Sequence, residues 1–244
     1  RKYGKNLFPY GMNFAVGGSG VFDTGNFQKN LTAQTDDFVA QVDEGVFPNL
    51  DLSRSTAVVS ISGNDYMHYQ EIGGSMDGLK DFIPRVIKQL KSDLKRIQQL
   101  GLGKIAVTNL HPIGCTPYTT IASSYKECNQ TVNLAVMYHN ALLADAVADL
   151  NKNTTSTPFT IIDIFHAFTS VLKQEMKKFK DALRPCCLGE SSFYSCGDIA
   201  DGVARYTVCD APHLKFYWDS VHPTQAGWRA AFASLGTSLN SLLN

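Results

Sequence analysis

The sequence predicts an α/β protein built on a parallel sheet, with helices on both faces. Three observations carry that expectation. Short apolar runs rich in β-branched residues recur at 57–61, 105–110 and 159–164, the signature of strands buried on both faces. Long stripes of helical period lie between them, and strand–helix–strand repetition closes into a parallel sheet because each crossover lays its helix on a face. The 244 residues, 44% hydrophobic and 18% charged, suit one large domain over 1–244 better than two small ones. Neither an internal repeat nor a low-complexity linker marks a boundary.

Taken in order, the first strand is Ala57-Val58-Val59-Ser60-Ile61. The helix after it carries Leu79, Phe82, Ile83, Val86, Ile87, Leu90, Leu94 and Ile97 on one stripe, with Lys and Asp mostly off it. Gly101 and Gly103 end that helix. The strand Ile105–Leu110 follows, then a helix with Leu134, Val136, Met137, Ala141, Leu142, Ala144, Val147 and Leu150 facing inward. Phe159–Ile164 is the third strand. A last helix carries Trp228, Phe232, Leu235, Leu239 and Leu242 at alternating spacings of four and three. Pro223 and Thr224 stand ahead of it as a stop and an N-cap.

Charge and cysteine usage narrow the partners. Lys+Arg 22 against Asp+Glu 22 gives zero formal net charge. With no basic run interleaved with aromatics, this argues against nucleic acid or an anionic membrane surface. The longest apolar stretches are too short to span a bilayer, and Arg1-Lys2-Tyr3-Gly4-Lys5 has no signal-peptide core, so a secreted form has already lost its signal. Cys115, Cys128, Cys186, Cys187, Cys196 and Cys209 make an even count in loop-like sequence, as a disulfide framework does. Adjacent Cys186-Cys187 chelates poorly, and no CxxC or HxxxH accompanies it, so a metal site is not expected. Cys115 with Cys128 is the natural local pair, and three pairings remain open for the other four. Sequons at Asn30, Asn129 and Asn153 point with the cysteines to the secretory pathway.

Three segments can carry chemistry, and in α/β folds chemistry gathers at the carboxyl ends of strands. In Asp219-Ser220-Val221-His222 a carboxylate stands three residues before a histidine. Held against one ring nitrogen, it fixes the tautomer and leaves the other nitrogen to take a proton. For the tetrapeptide alone, a plain surface loop is the commoner outcome. Gly11–Gly20 is a small-residue stretch that brings backbone N–H groups close to a ligand, or is simply a turn. Ser62-Gly63-Asn64-Asp65-Tyr66 follows a strand directly. There Asn64 offers an amide donor, or Asn64 and Asp65 bond their own backbone in a turn. Backbone donor, amide donor and oriented imidazole together describe an oxyanion hole and a general base. No serine has a nucleophile's setting: Ser19 lacks a strand–turn–helix context and Ser62 belongs to a strand end.

Asn13-Phe14-Ala15-Val16-Gly17-Gly18, Gly63-Asn64-Asp65 and Asp219-Ser220-Val221-His222-Pro223-Thr224 stand in the order and separation of three of the four blocks of the plant GDSL-type esterase/lipase family, within the SGNH hydrolase superfamily. The stretch Leu110-His111-Pro112-Ile113-Gly114-Cys115-Thr116-Pro117 and the double cysteine also resemble that family, so the resemblance covers nearly the whole chain. It implies a three-layer α/β/α sandwich around a parallel sheet, flavodoxin-like in outline. It also implies hydrolysis of small ester or lipid substrates through an acyl-serine, with no metal or other cofactor. Carried across, Gly18 and Asn64 supply oxyanion donors, His222 the base and Asp219 its orienting partner. A location outside the cell, in the cell wall or in the vacuole is implied as well.

The family's nucleophile lies in a Gly-Asp-Ser block at the end of a first strand, expected upstream of the residues here. A first strand in a doubly wound sheet is interior, and its loss leaves buried amides of its neighbours unpaired. An N-terminal peptide of the same precursor is therefore the expected partner, supplying strand and serine, and this chain by itself is expected to be inactive. The competing reading is a non-catalytic relative, a storage, defence or carbohydrate/lipid-binding protein that lacks the nucleophile.

Overall fold

The computed structural model of the protein describes residues 11–25, 28–47, 51–152, 154, 158–174, 178–236 and 239, the side chain of Gln174 excepted. They cluster into two compact units, one drawing on the chain up to Leu110 and on Tyr138–Ile162, the other on His111–Met137 and Asp163–Asn240.

The first unit holds a parallel sheet of three strands, β1 (Thr56–Val59), β2 (Lys104–Thr108) and β3 (Phe159–Ile162), in that spatial order. The α/β class read from the sequence is the class of the fold. Each strand stops two residues before its apolar run does. The last residue of each run stays buried, Ile61 at 7%, Leu110 at 1% and Ile164 at 6% exposure. β1 departs from the expectation of burial on both faces: among the described residues it pairs only with β2, and Val58 is 65% exposed.

Helix α1 (Leu31–Asp43) precedes β1, α2 (Asn64–Glu71) follows it, α3 (Leu79–Gln99) leads into β2, and α5 (Gln130–Lys152) into β3. Between β2 and α5 lies the single turn α4 (Pro117–Thr120). Both crossovers step the same way across the sheet, so right-handed connections put α3 and α5 on one face. Lys91 of α3 there pairs with Asp149 of α5. The α3 stripe follows the expected one, with Leu79, Ile83, Val86, Ile87, Leu90, Leu94 and Ile97 buried and Phe82 half-buried. Gly101, at φ +91°, supplies the left-handed residue that ends it. On the same face sits Asp93, fully buried. Its carboxylate accepts from Thr32 Oγ1 and Gln89 Nε2 at 3.1 Å, and burial raises its pKa.

The inward face of α5 differs from the expected one. Val136, His139, Leu143, Ala146, Val147 and Leu150 are buried, while Leu134 and Met137 are 65% and 51% exposed. The true stripe is interrupted by buried Asn133 and His139, so an apolar count places it wrongly. His139 is held by Tyr66, whose hydroxyl lies 2.5 Å from Nδ1.

In the second unit, α6 (Ile164–Gln174) and α7 (Gln225–Ser234) pack with an aromatic cluster. Phe168 and Phe179 meet Phe216 edge-on at 5.4 and 5.5 Å. The buried face of α7 is Gly227, Ala231 and Leu235, not the expected stripe, since Trp228 and Phe232 are 47% and 65% exposed. The helix lies so close to the backbone at Phe216 that a Cβ on Gly227 would fall on its carbonyl oxygen. Leu242 lies outside the described residues. Two small antiparallel ladders complete the unit, β4 (Cys187–Gly189) with β7 (Tyr206–Val208) and β5 (Ile199–Ala200) with β6 (Val203–Ala204). All six cysteines are bridged: Cys115–Cys128 as expected, and the remaining four as Cys186–Cys209 and Cys187–Cys196. Among the described residues no helix is long and apolar enough to cross a membrane.

Candidate active site

In the first unit the chain turns from β1 into α2 within a few residues, through Gly63 at φ +106°. A side chain there would strain the turn. This sets Asn64 and Asp65 at the start of the helix. Asn64 Nδ2 donates to the carbonyl oxygen of Ser19 at 2.9 Å. Asp65, 3% exposed, accepts from the backbone N–H groups of Val21 (3.0 Å) and Phe22 (2.9 Å), one on each oxygen. The local turn weighed from the sequence is therefore not what these side chains make, since their partners lie more than forty residues away. An amide nitrogen has two hydrogens, and Ser19 engages one.

The Gly18 loop is pinned at several points. Thr24 Oγ1 donates to the Gly18 carbonyl at 2.9 Å, and Leu31 N–H donates to the Gly20 carbonyl at 2.9 Å. Gly18 has φ +81°, and a Cβ there would collide with the side-chain amide of Gln28. Ser19 is 7% exposed. Its hydroxyl donates to the Lys29 carbonyl at 2.8 Å and accepts from Gln34 Nε2 at 3.0 Å, the bonding of a structural serine.

In the second unit, Asp219 and His222 form a dyad. His222 Nδ1 is 2.8 Å from Asp219 Oδ2 and 3.0 Å from Oδ1. A carboxylate only accepts, so Nδ1 carries the proton and Nε2 presents its lone pair. Asp219 Oδ1 also accepts from the N–H groups of Val221 (2.9 Å) and His222 (2.7 Å), which closes the loop around the pair. The imidazole is 74% exposed against 22% for its carboxylate. The double cysteine anchors the approach, with Cys186 N–H on the Tyr217 carbonyl (3.1 Å) and Cys187 N–H on the Trp218 carbonyl (2.6 Å). On the far side Thr224 caps α7, accepting from Gly227 N–H at 2.9 Å and donating to the Lys215 carbonyl at 2.7 Å. From α4, Tyr118 N–H reaches the Ser220 carbonyl at 2.8 Å.

One further imidazole belongs to this neighbourhood and escaped the sequence reading. His111 lies against Phe168, ring centres 5.4 Å apart. Burial first, then the charge of His222, pushes its pKa down to about 4. Only its place in the Leu110–Pro117 stretch marked it. The structure thus brings Gly18 and Asn64 into one unit and Asp219 and His222 into the other. Of the sequons, Asn30 caps α1 and accepts from Ala33 N–H at 2.9 Å. Exposed Asn129 accepts from Val132 N–H at 3.1 Å at the start of α5. Asn153 lies outside the described residues.

A carboxylate-held imidazole, and an asparagine amide beside a glycine loop, are the parts that acyl-transfer hydrolases use to move a proton and to hold an oxyanion. That class is matched by comparison with known proteins. The model of the GDSL-like lipase/acylhydrolase family matches residues 2–235. GDSL esterase/lipase At5g03610 of Arabidopsis thaliana is 40% identical, with 98% of this chain and 69% of the relative covered. At3g09930 and At5g03600, of the same name and organism, are 36% and 39% identical over 98% and 96% of this chain and 70% and 73% of their own lengths. The chain belongs to the GDSL-like lipase/acylhydrolase family, a family of ester hydrolases.

Proposed function

We propose that this chain is the carboxyl-terminal part of a secreted serine hydrolase that cleaves carboxylic esters through an acyl-serine. The observation that carries the reading is the Asp219–His222 dyad, with Nδ1 on the carboxylate and the ring exposed. His222 takes the proton of the attacking serine and returns it to the leaving alkoxide, Asp219 holds the ring and its charge, and the Gly18 N–H and the second Asn64 amide hydrogen stabilise the oxyanion. The serine comes from a Gly-Asp-Ser block on a further segment of the precursor. That segment pairs along β1, a placement supported by the unpartnered edge among the described residues and by exposed Val58. Three disulfides and the outward-facing sequon at Asn129 support passage through the secretory pathway, to the cell exterior, wall or vacuole.

The test is hydrolysis of a short-chain aryl ester and labelling by a serine-directed phosphonate, using the protein together with its Gly-Asp-Ser segment. Asn64→Ala should lower kcat by roughly 10²–10³-fold, the cost of one oxyanion donor. His222→Ala should cost more, since attack and leaving-group protonation both need it. This chain without the serine segment should be inert. If the intact protein neither hydrolyses esters nor takes the label, the hydrolase reading fails and a binding protein on the same scaffold replaces it.

A further inference from the structure

We propose that Asp65 is a positioning residue for ester hydrolysis: its carboxylate locks the Gly18 loop to the start of α2 and so sets the direction of both oxyanion donors. The inference rests on the hydrolase reading above and adds a residue to it.

Asp65 follows Asn64 directly, and both reach the same loop. Asn64 holds it at the Ser19 carbonyl, and Asp65 holds it at the Val21 and Phe22 N–H groups. Three hydrogen bonds thus fix Ser19, Val21 and Phe22, three of the four residues immediately after Gly18. Between the two clamps lies Gly20, where an added Cβ would fall on the Asp65 carboxylate, so the backbone rests on the carboxylate itself. The group is 3% exposed, and burial raises its pKa against the lowering effect of the two N–H groups. A buried carboxylate is a costly way to tie down a loop, since desolvation works against it. What it supplies is two acceptors at a fixed separation on one short, stiff side chain. An asparagine in its place keeps one acceptor and turns an NH2 toward the other backbone N–H, which is then left unpaired. The chain would yield at Val21–Phe22, and Gly18 and Asn64 would lose their common reference. Oxyanion donors act on charge that develops in the transition state, so a displacement of about an ångström costs turnover far more than substrate binding.

The experiment measures kcat and KM for a short-chain aryl ester on the intact protein with its serine segment, together with thermal melting. Asp65→Asn should lower kcat by roughly 10–100-fold with KM within about twofold. Gly20→Ala, which pushes the carboxylate from the other side, should move the same parameter in the same direction. In a double-mutant cycle, Asp65→Asn on top of Asn64→Ala should cost much less than it does alone, because both act through the same donors. A folded Asp65→Asn protein with unchanged kcat, or losses that multiply in full, overturns the proposal in favour of a purely structural carboxylate. If Asp65→Asn does not fold, Gly20→Ala decides by the same readouts, and failure of both to fold also overturns it. Activity indifferent to Asn64→Ala overturns the proposal while leaving the hydrolase standing. An intact wild type that is inert to both ester and phosphonate removes the hydrolase reading itself, and the proposal with it.

Discussion

Asp219 does two jobs with one carboxylate: it holds His222 Nδ1 and it closes the loop through the N–H groups of Val221 and His222. Asp219→Ala would confound these, whereas Asp219→Asn keeps an acceptor for the loop and removes the charge that fixes the tautomer. Its kcat for an aryl ester should fall by roughly 10³–10⁴-fold at neutral pH with the fold retained, measured as kcat beside a melting curve. The dyad was legible in the sequence because its geometry is local, three residues bent into one turn. The partners of Asn64 and Asp65 were not, since a hydrogen bond to Ser19 or Val21 spans more than forty residues and leaves no trace in spacing. His111 was illegible for a related reason: a half-buried imidazole looks like any other histidine until Phe168 and His222 are beside it.

At the level of elements, the three strands and α3 are legible because apolar residues dominate each, although every strand ends two residues before its run and β1 exposes Val58. Helix α5 was found but turned the wrong way. Its buried face includes Asn133 and His139, polar residues satisfied by Gly114 N–H (2.9 Å to Asn133 Oδ1) and by the Tyr66 hydroxyl. A hydrophobic count assigns such positions to solvent. α7 was misread for the opposite reason, since its contact face is made of the small residues Gly227 and Ala231. The corrected face of α5 makes a paired prediction. Leu143→Ala, at a fully buried position, should cost about 2–5 kcal/mol of stability. Leu134→Ala, at a site 65% exposed, should stay within about 0.5 kcal/mol. Urea midpoints of the two variants check this, and equal losses would restore the original stripe.

The stability of the molecule as a whole carries a pH signature from two histidines, buried His139 and half-buried His111. Burial lowers both His111 and His139 from 6.5 to about 4. Below about 6.5 the unfolded chain takes up protons that the folded protein refuses until about pH 4. Stability is therefore full above that window and falls as the pH drops through it. Two such groups set a ceiling of about 2.7 kcal/mol per pH unit, and His111, only half-buried, contributes less than its share because water screens it. Asp65 and Asp93 act in the opposite sense. Their raised pKa values let the folded state keep protons that the unfolded chain releases, so part of the loss returns as the pH approaches 3.8. Urea midpoints at pH 7.5, 6 and 5 should fall in that order, and His139→Gln should flatten the trend even where it lowers the absolute value.

The adjacent cysteines set the chain a problem of choice. Cys186 and Cys187 each end on a different partner, and exchanging the partners gives an isomer with the same number of bonds and almost the same loop lengths. What separates the two is the backbone. With Cys187 opposite Val208 and Cys209 N–H on the Cys186 carbonyl at 2.8 Å, Cys186 is the residue that faces Cys209. Joining Cys187 to Cys209 instead would slide β4 by one residue, and a one-residue slip turns every side chain of a strand to its other face. A ladder only three residues long thus acts as the proofreader of two covalent bonds. The register that it reads is the same stretch of chain that steadies Trp218 on the way into Asp219.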